Sequence, residues 1–161
     1  SSDLLTVEVC PRVFEQFGLI AGLQWQAQDF TNKTGIQCDL ETVLEHVNFD
    51  LHRSTEVFRI LQEVLNNANR HARASRVQIS LEADIVRLVL RVHDNGRGIT
   101  KEEISNPASI GLVEIRERTR WLGGEFAIEG SAANGTSIQL TIPLTSPTEN
   151  LQGERPNCSV C

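Results

Sequence analysis

Two stretches decide the fold of this chain: LQEVLNNANRHA at residues 61–72 and DNGRGI at residues 94–99. The first stretch places apolar residues at helical spacing on one side and carboxamides on the other. The second stretch is a glycine-containing turn that begins with a carboxylate at the end of a predicted strand. Together they predict one pocket for a metal-bound nucleotide.

Composition limits what the chain can be. Its 161 residues, 40% hydrophobic and with a net charge of −6, predict about one domain and argue against nucleic acid as a partner. No apolar run approaches the roughly 18 residues that span a bilayer, and no signal peptide opens the chain, so we expect no membrane contact and a cytoplasmic location. Cys10 and Cys38 are interpreted as buried thiols. Cys158 and Cys161 lack the second ligand pair that a zinc site needs.

Hydrophobic periodicity predicts the secondary structure. The predicted helices are residues 14–30, ending near Thr34 and Gly35, then a helix from Ser54 as N-cap to about Arg73, and residues 110–122. The predicted strands are residues 36–44, 47–51, 76–83, 86–93, 125–129 and 136–143.

Three other segments are predicted to lack regular structure. Residues 100–109 read as a polar, mobile connection, residues 130–135 as a turn, and residues 145–161 as a disordered tail. The order of elements predicts an α+β fold, a two-layer α/β sandwich with helices on one face of a mixed sheet.

The predicted helix over residues 54–73 carries candidate ligands. Glu63 and Asn67 are four residues apart and share a face, which Arg70 and His71 extend by another turn. A carboxylate and a carboxamide oxygen suit Mg²⁺. The alternative is a solvated helix face. Asparagine is a poor helix former, so three of them at 66, 67 and 69 favour selection by a ligand.

The glycine-containing turn is the second candidate. Asp94 ends a strand, and Gly96 and Gly98 allow positive φ and the close approach of a ligand. The carboxylate could accept a hydrogen bond from an exocyclic amine such as that of adenine. The alternative is an ordinary tight turn.

The third candidate is the helix start SIGLVEIRER at residues 109–118. Free N–H groups near Gly111 and the positive end of the helix dipole favour phosphate, and Arg116 could add charge near the outer phosphate. The alternative is a surface helix in which Arg116, Arg118 and Arg120 pair with Glu114 and Glu117.

These motifs together resemble one family. FRILQEVLNNANRHARASRVQISL (58–81), DNGRGI (94–99), SIGLVEIRERTRWLGGEFAIEG (109–130) and GTSIQLTIP (135–143) are similar to the catalytic ATP-binding domain of bacterial sensor histidine kinases. With the lead-in at residues 11–36, the chain resembles the short-lid class typified by nitrate and nitrite sensors. The resemblance implies the GHKL (Bergerat) ATP-binding fold shared with gyrase, the ninety-kilodalton heat-shock chaperones and mismatch-repair ATPases.

The resemblance also implies ATP and Mg²⁺ as cofactors, with roles for particular residues. For the metal, it implies Asn67 as the magnesium ligand and Glu63 as the acidic residue that organises magnesium or water. For the phosphates and sugar, it implies Arg70 (commonly Lys) facing the phosphates, His71 near the sugar or base, and Gly111 and Leu112 starting the helix under the phosphates. For the base, it implies Asp94 bonded to the adenine amine, Gly96 and Gly98 shaping that pocket, and Thr136 supporting Asp94. Two departures, Ser109 at the usual lid glycine and Asn66 in place of a small residue, remove no ligand.

An acceptor histidine followed by an acidic residue on a helix is missing. The four histidines are His46, His52, His71 and His93, and the His93–Asp94 dipeptide ends a predicted strand. We therefore expect residues 1–11 to be a linker remnant, residues 12–144 the catalytic domain, and the acceptor to lie on an upstream dimerisation domain. The fragment is expected to be a monomer, the full protein a homodimer, and a response regulator its signalling partner.

Two other functions stay open from the sequence. One is a GHKL ATPase or anti-sigma-type serine kinase in which Glu63 acts as general base. The other is a non-catalytic module that binds nucleotide or partners as a regulatory surface. The expected function is transfer of the γ-phosphoryl of Mg-ATP to a histidine outside this chain.

Overall fold

A computed structural model describes residues 2–45, 47, 49–106 and 111–144, with side chains from residue 18 onward except at 71 and 72. The expected tail at 145–161, with Cys158 and Cys161, lies outside the described residues, as do His46 and the side chains of Cys10 and His71. Within the described part of the chain, no helix combines the length and apolarity needed to cross a membrane.

Five strands form one mixed sheet in the order β1-β2-β3-β5-β4. β1 runs parallel to β2, and the other neighbouring strands are antiparallel. The strands are β1 (Gln37–Thr42), β2 (Arg76–Ala83), β3 (Arg87–Asp94), β4 (Glu125–Ser131) and β5 (Gly135–Pro143). The strand predicted at residues 47–51 is wrong, because Val47 and Phe49 lie outside any strand and Leu51 begins a helix.

The helices are α1 (Ser2–Thr34), α2 (Leu51–Asn67), α3 (Lys101–Ser105) and α4 (Leu112–Trp121), and α2 continues as a π-helical turn over Ala68–Ala72. α1 begins earlier than the predicted residue 14, and Gly18, at φ 87° and ψ 178°, interrupts it. Its predicted end is confirmed: Gly35 has φ 80°, and its N–H donates to the Thr31 carbonyl at 2.9 Å.

The start of α2 differs from the prediction. Asp50, not Ser54, is the N-cap: its side chain accepts a 2.7 Å hydrogen bond from the Arg53 amide. Ser54 is buried inside the first turn. Asp and Ser both cap helices well. The helix begins at Leu51, earlier than predicted, and this places Asp50 rather than Ser54 at the N-cap.

The two layers follow from alternation along the strands. Val77, Ile79 and Leu81 of β2 are buried, whereas Gln78 and Ser80 between them are not. β3 and β5 repeat this pattern, so one face of the sheet is apolar. The apolar face packs against the helices, and the core is one cluster that includes Phe58, Leu61, Leu65, Leu90 and Leu140. The predicted sandwich is confirmed.

An ion pair joins the two helices that border the candidate site. Arg118 of α4 contacts Glu56 of α2 at 2.7 Å, with the two side chains only 24% and 18% exposed. His52 and Trp121 meet edge to face nearby, with ring centroids 4.8 Å apart. These contacts hold α4 along α2 and bring its N-terminal end next to Glu63.

The connection after β3 is more ordered than expected. Residues 101–105 form α3, and Thr100 and Glu103 close a capping box at its start. Residues 101–105 are therefore helical rather than irregular, whereas residues 107–110 lie outside the described part. The helix predicted from residue 110 is α4, whose described start is Leu112.

Cys38 lies buried on β1, as predicted for a structural thiol. Its burial raises the pKa of the thiol to about 12, with the nearby Asp39 carboxylate adding to the effect. Such a thiol is protonated at neutral pH and therefore inert.

Candidate nucleotide site

Asp94 and Thr136 meet at one end of the sheet. They are paired in register where β3 and β5 lie side by side, and both are almost fully buried. Leu90 and Val92 of β3 face the helices, so the alternation of the strand directs Asp94 to the same side. A carboxylate therefore sits at the edge of the apolar core.

The Asp94 carboxylate is only partly satisfied by the protein. Its Oδ1 accepts hydrogen bonds from the amides of Gly96 at 2.9 Å and Thr136 at 3.3 Å. Among the residues that the structure describes, none donates to its Oδ2. A carboxylate in this largely buried position can therefore accept a hydrogen bond from a ligand that brings an N–H or O–H group.

The glycine-containing loop is packed tightly against the β4–β5 hairpin. Gly98 has φ 80°, and a Cβ there would overlap the Ser131 backbone. A Cβ on Gly130 would likewise overlap the backbone of Ile99. The Ile99 amide donates to Thr136 Oγ1 at 2.9 Å, which fixes the loop to β5.

A cavity of about 30 Å³ opens between this loop, the sheet and α2. Its walls are mostly apolar, and Asn67, Asp94, Arg97 and Thr136 contribute the polar groups. The full lining consists of Val64, Asn67, Asp94, Arg97, Gly98, Ile99, Leu112, Ile128, Thr136 and Ile138.

On its helix side, the site brings together the residues predicted on α2 and those predicted at the start of α4. Asn67 is half-buried and lines the cavity. Glu63, one turn earlier, lies so close to Gly111 that a Cβ on Gly111 would overlap its carboxylate. Gly111 is the N-cap of α4 with φ 72°, and Leu112 is fully buried against the cavity.

Two predicted site residues, Arg70 and Arg116, lie apart from the cavity. Arg70 is exposed on the π-helical turn. The Arg116 guanidinium lies 5.8 Å from the ring centroid of Phe126, in a separate recess. The His71 side chain is outside the described residues.

Several lining residues were not predicted. Val64, Ile128 and Ile138 form the apolar walls, and Ile99 and Arg97 come from the loop. The alternation of buried and exposed residues along β5 could have identified Ile138 as a residue of the cavity wall. Arg97 carries no such signal, because its position depends on a contact with α3.

No cluster of three or more His, Cys, Asp or Glu side chains occurs among the described residues. A divalent cation here would therefore rely on few protein ligands, Asn67 and Glu63, together with phosphate oxygens and water. This donor set fits Mg²⁺, which keeps several waters when it bridges phosphates.

Residues 52–146 match the family described as "Histidine kinase-, DNA gyrase B-, and HSP90-like ATPase". The chain belongs to this ATPase family. The match contains every cavity-lining residue, and it confirms the expected fold family and an ATP-binding domain.

Similar curated proteins are sensor histidine kinases. The chain is 33% identical over 132 residues to the signal transduction histidine-protein kinase/phosphatase DegS of Brevibacillus brevis, covering 82% of this chain and 34% of that protein. It is 28% identical over 141 residues to the oxygen sensor histidine kinase NreB of Staphylococcus carnosus, covering 88% and 41%. The chain thus spans between a third and about two fifths of these relatives.

Solved structures agree. A histidine kinase domain from the blue-light activated histidine kinase EL346 of Erythrobacter litoralis matches with a TM-score of 0.66 at 25% identity, covering 78% of this chain and 61% of that one. The catalytic domain of the histidine kinase ThkA matches with a TM-score of 0.62 at 23% identity, covering 79% and 92%, and supports the fold alone. The predicted class, the ATP-binding catalytic domain of a sensor histidine kinase, is confirmed.

Proposed function

We propose that this ATPase-family domain holds Mg-ATP and donates its γ-phosphoryl group to a histidine on a dimerisation domain upstream in the full protein. The observation that carries the proposal is the buried Asp94 carboxylate. One of its oxygens is held by two amides, and the residue lines a mostly apolar cavity.

Asp94 selects the base. Its carboxylate would accept a hydrogen bond from the exocyclic amine of adenine, and Val64, Ile128 and Ile138, which line the cavity, would pack around the ring. Gly96 and Gly98 carry no side chain, which allows the base to approach the Asp94 carboxylate closely. Thr136 supports Asp94 through its own amide and holds the Ile99 backbone with its hydroxyl.

Asn67 and Glu63 serve the metal. The Asn67 oxygen would hold Mg²⁺, and the ion would supply positive charge that offsets the charge of the phosphates. Glu63 lies one turn of α2 before Asn67 and beside Gly111 at the start of α4, where it would organise the ion or its waters. Because phosphoryl transfer needs little covalent help from the protein, positioning and charge neutralisation are the main contributions of the site.

Gly111 and Leu112 form the phosphate end of the site. α4 is ten residues long, and its first N–H groups and dipole favour the phosphates. Arg70 is exposed on the turn after Asn67, and we assign it to the phosphates because the family resemblance implies that role.

The remaining parts of the reaction belong to the full protein. We infer a homodimer in the cytoplasm, with the acceptor histidine and the group that activates it on the dimerisation domain. A response regulator then receives the phosphoryl group. The chain by itself is inferred to be a monomer that binds nucleotide.

The test is phosphorylation of the full-length protein with labelled ATP, read as acid-labile phosphate on histidine. Asn67→Ala should lower the rate on the order of 100-fold, the cost of misplacing a reacting group. Asn69→Ala, at an exposed position on the same segment, should retain the rate. Normal phosphorylation in Asn67→Ala would reject the metal assignment.

A second variant separates this proposal from an ATPase or serine kinase on the same fold. Glu63→Gln should leave slow hydrolysis by the isolated chain unchanged if Glu63 serves only the metal. Rapid hydrolysis in the wild type that disappears in Glu63→Gln would instead assign Glu63 as general base.

A further inference from the structure

The three arginines of α4 differ in how their charges are used. Arg118 is bonded to Glu56 of α2 at 2.7 Å. Arg120 contacts Glu117 at 3.5 Å with the side chains 76% and 65% exposed, and a pair as open as this contributes little. Arg116 forms no ion pair with any carboxylate of the described residues. Its guanidinium donors are therefore available to a ligand.

Arg116 and Arg120 lie on the flank of α4 that faces away from α2. Residues two apart on a helix project to nearly opposite sides, whereas residues four apart share a side. Arg118 faces α2 through its bond to Glu56, so Arg116 and Arg120 belong to the other flank. Both line the same recess on that flank.

This recess lies between α4 and β4. Its volume is about 230 Å³, and its lining consists of Arg116, Thr119, Arg120, Gly124 and Phe126. The Arg116 guanidinium lies 5.8 Å from the centroid of the Phe126 ring, within the range of a cation–π contact. The recess thus presents two guanidinium groups beside an aromatic ring.

β4 is the last strand of the sheet and is paired on one side with β5. No described strand pairs with its other side, so a row of backbone N–H and C=O groups is unpaired there. Phe126 and Ile128 point to the helix side, because they pair with the buried Leu140 and Ile138 of β5. The recess therefore lies beside a free strand edge.

The two faces of the sheet carry opposite charges at this edge. Arg116 and Arg120 lie on the helix side, whereas Glu125 and Glu129 are exposed on the open side. The side chains of an added strand would alternate between these two faces. The matching segment has acidic and apolar residues facing α4 and basic residues on the open side.

A second copy of this chain does not meet this requirement. In an antiparallel pair of two β4 strands centred on Ala127, Glu125 of each copy would lie opposite Glu129 of the other. Like charges directly opposite each other destabilise a sheet. The charges at the edge therefore favour a different protein as the partner.

We propose that the free edge of β4 is a docking site for an extended segment of a partner protein, which places a carboxylate between Arg116 and Arg120. Addition of a strand supplies main-chain hydrogen bonds, and the recess supplies specificity for alternate side chains. The guanidinium groups would donate to the carboxylate, and such charged bonds are stronger than neutral ones. The recess shares no lining residue with the nucleotide cavity, so this inference is independent of phosphoryl transfer.

The first experiment measures binding of a fluorescent peptide to the intact chain by anisotropy. The probe is Glu-Lys-Leu-Lys-Glu-Lys, blocked at both ends, which has about the length of one strand. It should bind with a Kd below roughly 1 mM, the weak end of specific binding. A probe with Gln in place of both Glu residues should bind about ten-fold more weakly, because it loses charged hydrogen bonds. No binding, or equal binding of the two probes, overturns the site.

Arg116→Gln tests the same contact from the side of the protein. It should weaken binding of the Glu probe about ten-fold and leave binding of the Gln probe unchanged. Arg116→Lys keeps the charge without the planar fork and should fall between the wild type and Arg116→Gln.

A matched control is available on the open face of the sheet, where the Arg91 side chain is 48% exposed. Arg91→Gln removes the same charge from β3 and should leave the affinity for both probes unchanged. Equal weakening by Arg116→Gln and Arg91→Gln would mean that net charge alone attracts the peptide, and this result overturns the site.

The second experiment tests strand addition. A probe with N-methyl groups along the edge that would face β4 lacks main-chain donors and should not bind. The unmodified probe should slow deuterium exchange in residues 125–131 and leave residues 87–94 of the central strand β3 unchanged. Unchanged exchange in residues 125–131, or full binding of the methylated probe, overturns strand addition.

The competing occupant is the C-terminal segment of this chain, which contains carboxylates at Glu149 and Glu154. In the full chain, replacing both by glutamine should leave binding of the probe unchanged. Tighter binding in that double variant would show that the chain covers its own strand edge, and this result overturns a partner site.

Discussion

At the scale of single residues, Thr136 does two things for the site. Its amide donates to Asp94, and its hydroxyl accepts from the amide of Ile99. The side chain is 8% exposed, so both bonds are shielded from water. One residue thus orients the carboxylate and fixes the loop that follows it.

Replacing Thr136 by valine tests this double role. The shape is preserved, but the buried Ile99 N–H loses its acceptor, which should lower the free energy of unfolding by about 1–3 kcal/mol. Urea denaturation measures this loss. Thr136→Ser keeps the hydroxyl and should lose less. A valine variant as stable as the wild type would show that the hydroxyl bond does not stabilise the fold.

At the scale of elements, two short features adjoin residues that line the cavity. α2 changes from α-helical to π-helical geometry after Asn67, and such turns are frequent at functional sites. The wider turn ends at Arg73, whose φ of 53° is left-handed. On the loop after β3, Arg97 lines the cavity and forms an ion pair at 2.7 Å with Glu103 of α3.

The pH dependence of α3 follows from that pair. The Arg97 guanidinium and the Thr100 amide lower the pKa of Glu103 from 4.5 to about 2. Because the folded value is the lower one, the stabilisation is complete above pH 4.5 and is lost as the pH falls toward 2.

Carbon NMR of the Glu103 carboxyl group measures this effect. In the wild type Glu103 should stay ionised at pH 3, and in Arg97→Gln its titration should move up toward its ordinary range. Arg91→Gln, which breaks the ion pair of Arg91 with Glu82 between β3 and β2, should not change it. A midpoint near 4.5 in the wild type would mean that the pair is open in solution.

At the scale of the whole molecule, one apolar face of the sheet holds the helices and therefore the site. Leu90 lies at the centre of β3, fully buried, and pairs with Leu81 of β2 and Leu140 of β5. The same strand ends at Asp94. Packing of the core and placement of the carboxylate are thus consequences of one strand.

Leu90→Ala should lower the free energy of unfolding by about 2–5 kcal/mol, since it removes a packed side chain and leaves a cavity. Val113→Ala on α4, where the side chain is 45% exposed, should change it by less than about 0.5 kcal/mol. Urea denaturation compares the two. Similar losses in both variants would contradict the assigned core.

Much of the fold and of the candidate site could be predicted from the sequence, because these features depend on residues that are close together in the chain. Alternation along residues 86–93 predicts which face of β3 is buried, and helical spacing places Asn67 and Glu63 on one face of α2. The glycines at 98 and 111 mark positions of positive φ. Residue type, period and turn chemistry determined the strands, the helices and the candidate ligands.

The tertiary structure decided what depends on segments far apart in the chain. Strand register pairs Asp94 with Thr136, packing of the hairpin on Gly98 narrows the cavity, and an ion pair holds α3. It also turned Arg116 toward Phe126. Local propensity carries no information on these contacts, since each is stabilised only when a distant partner is already in place.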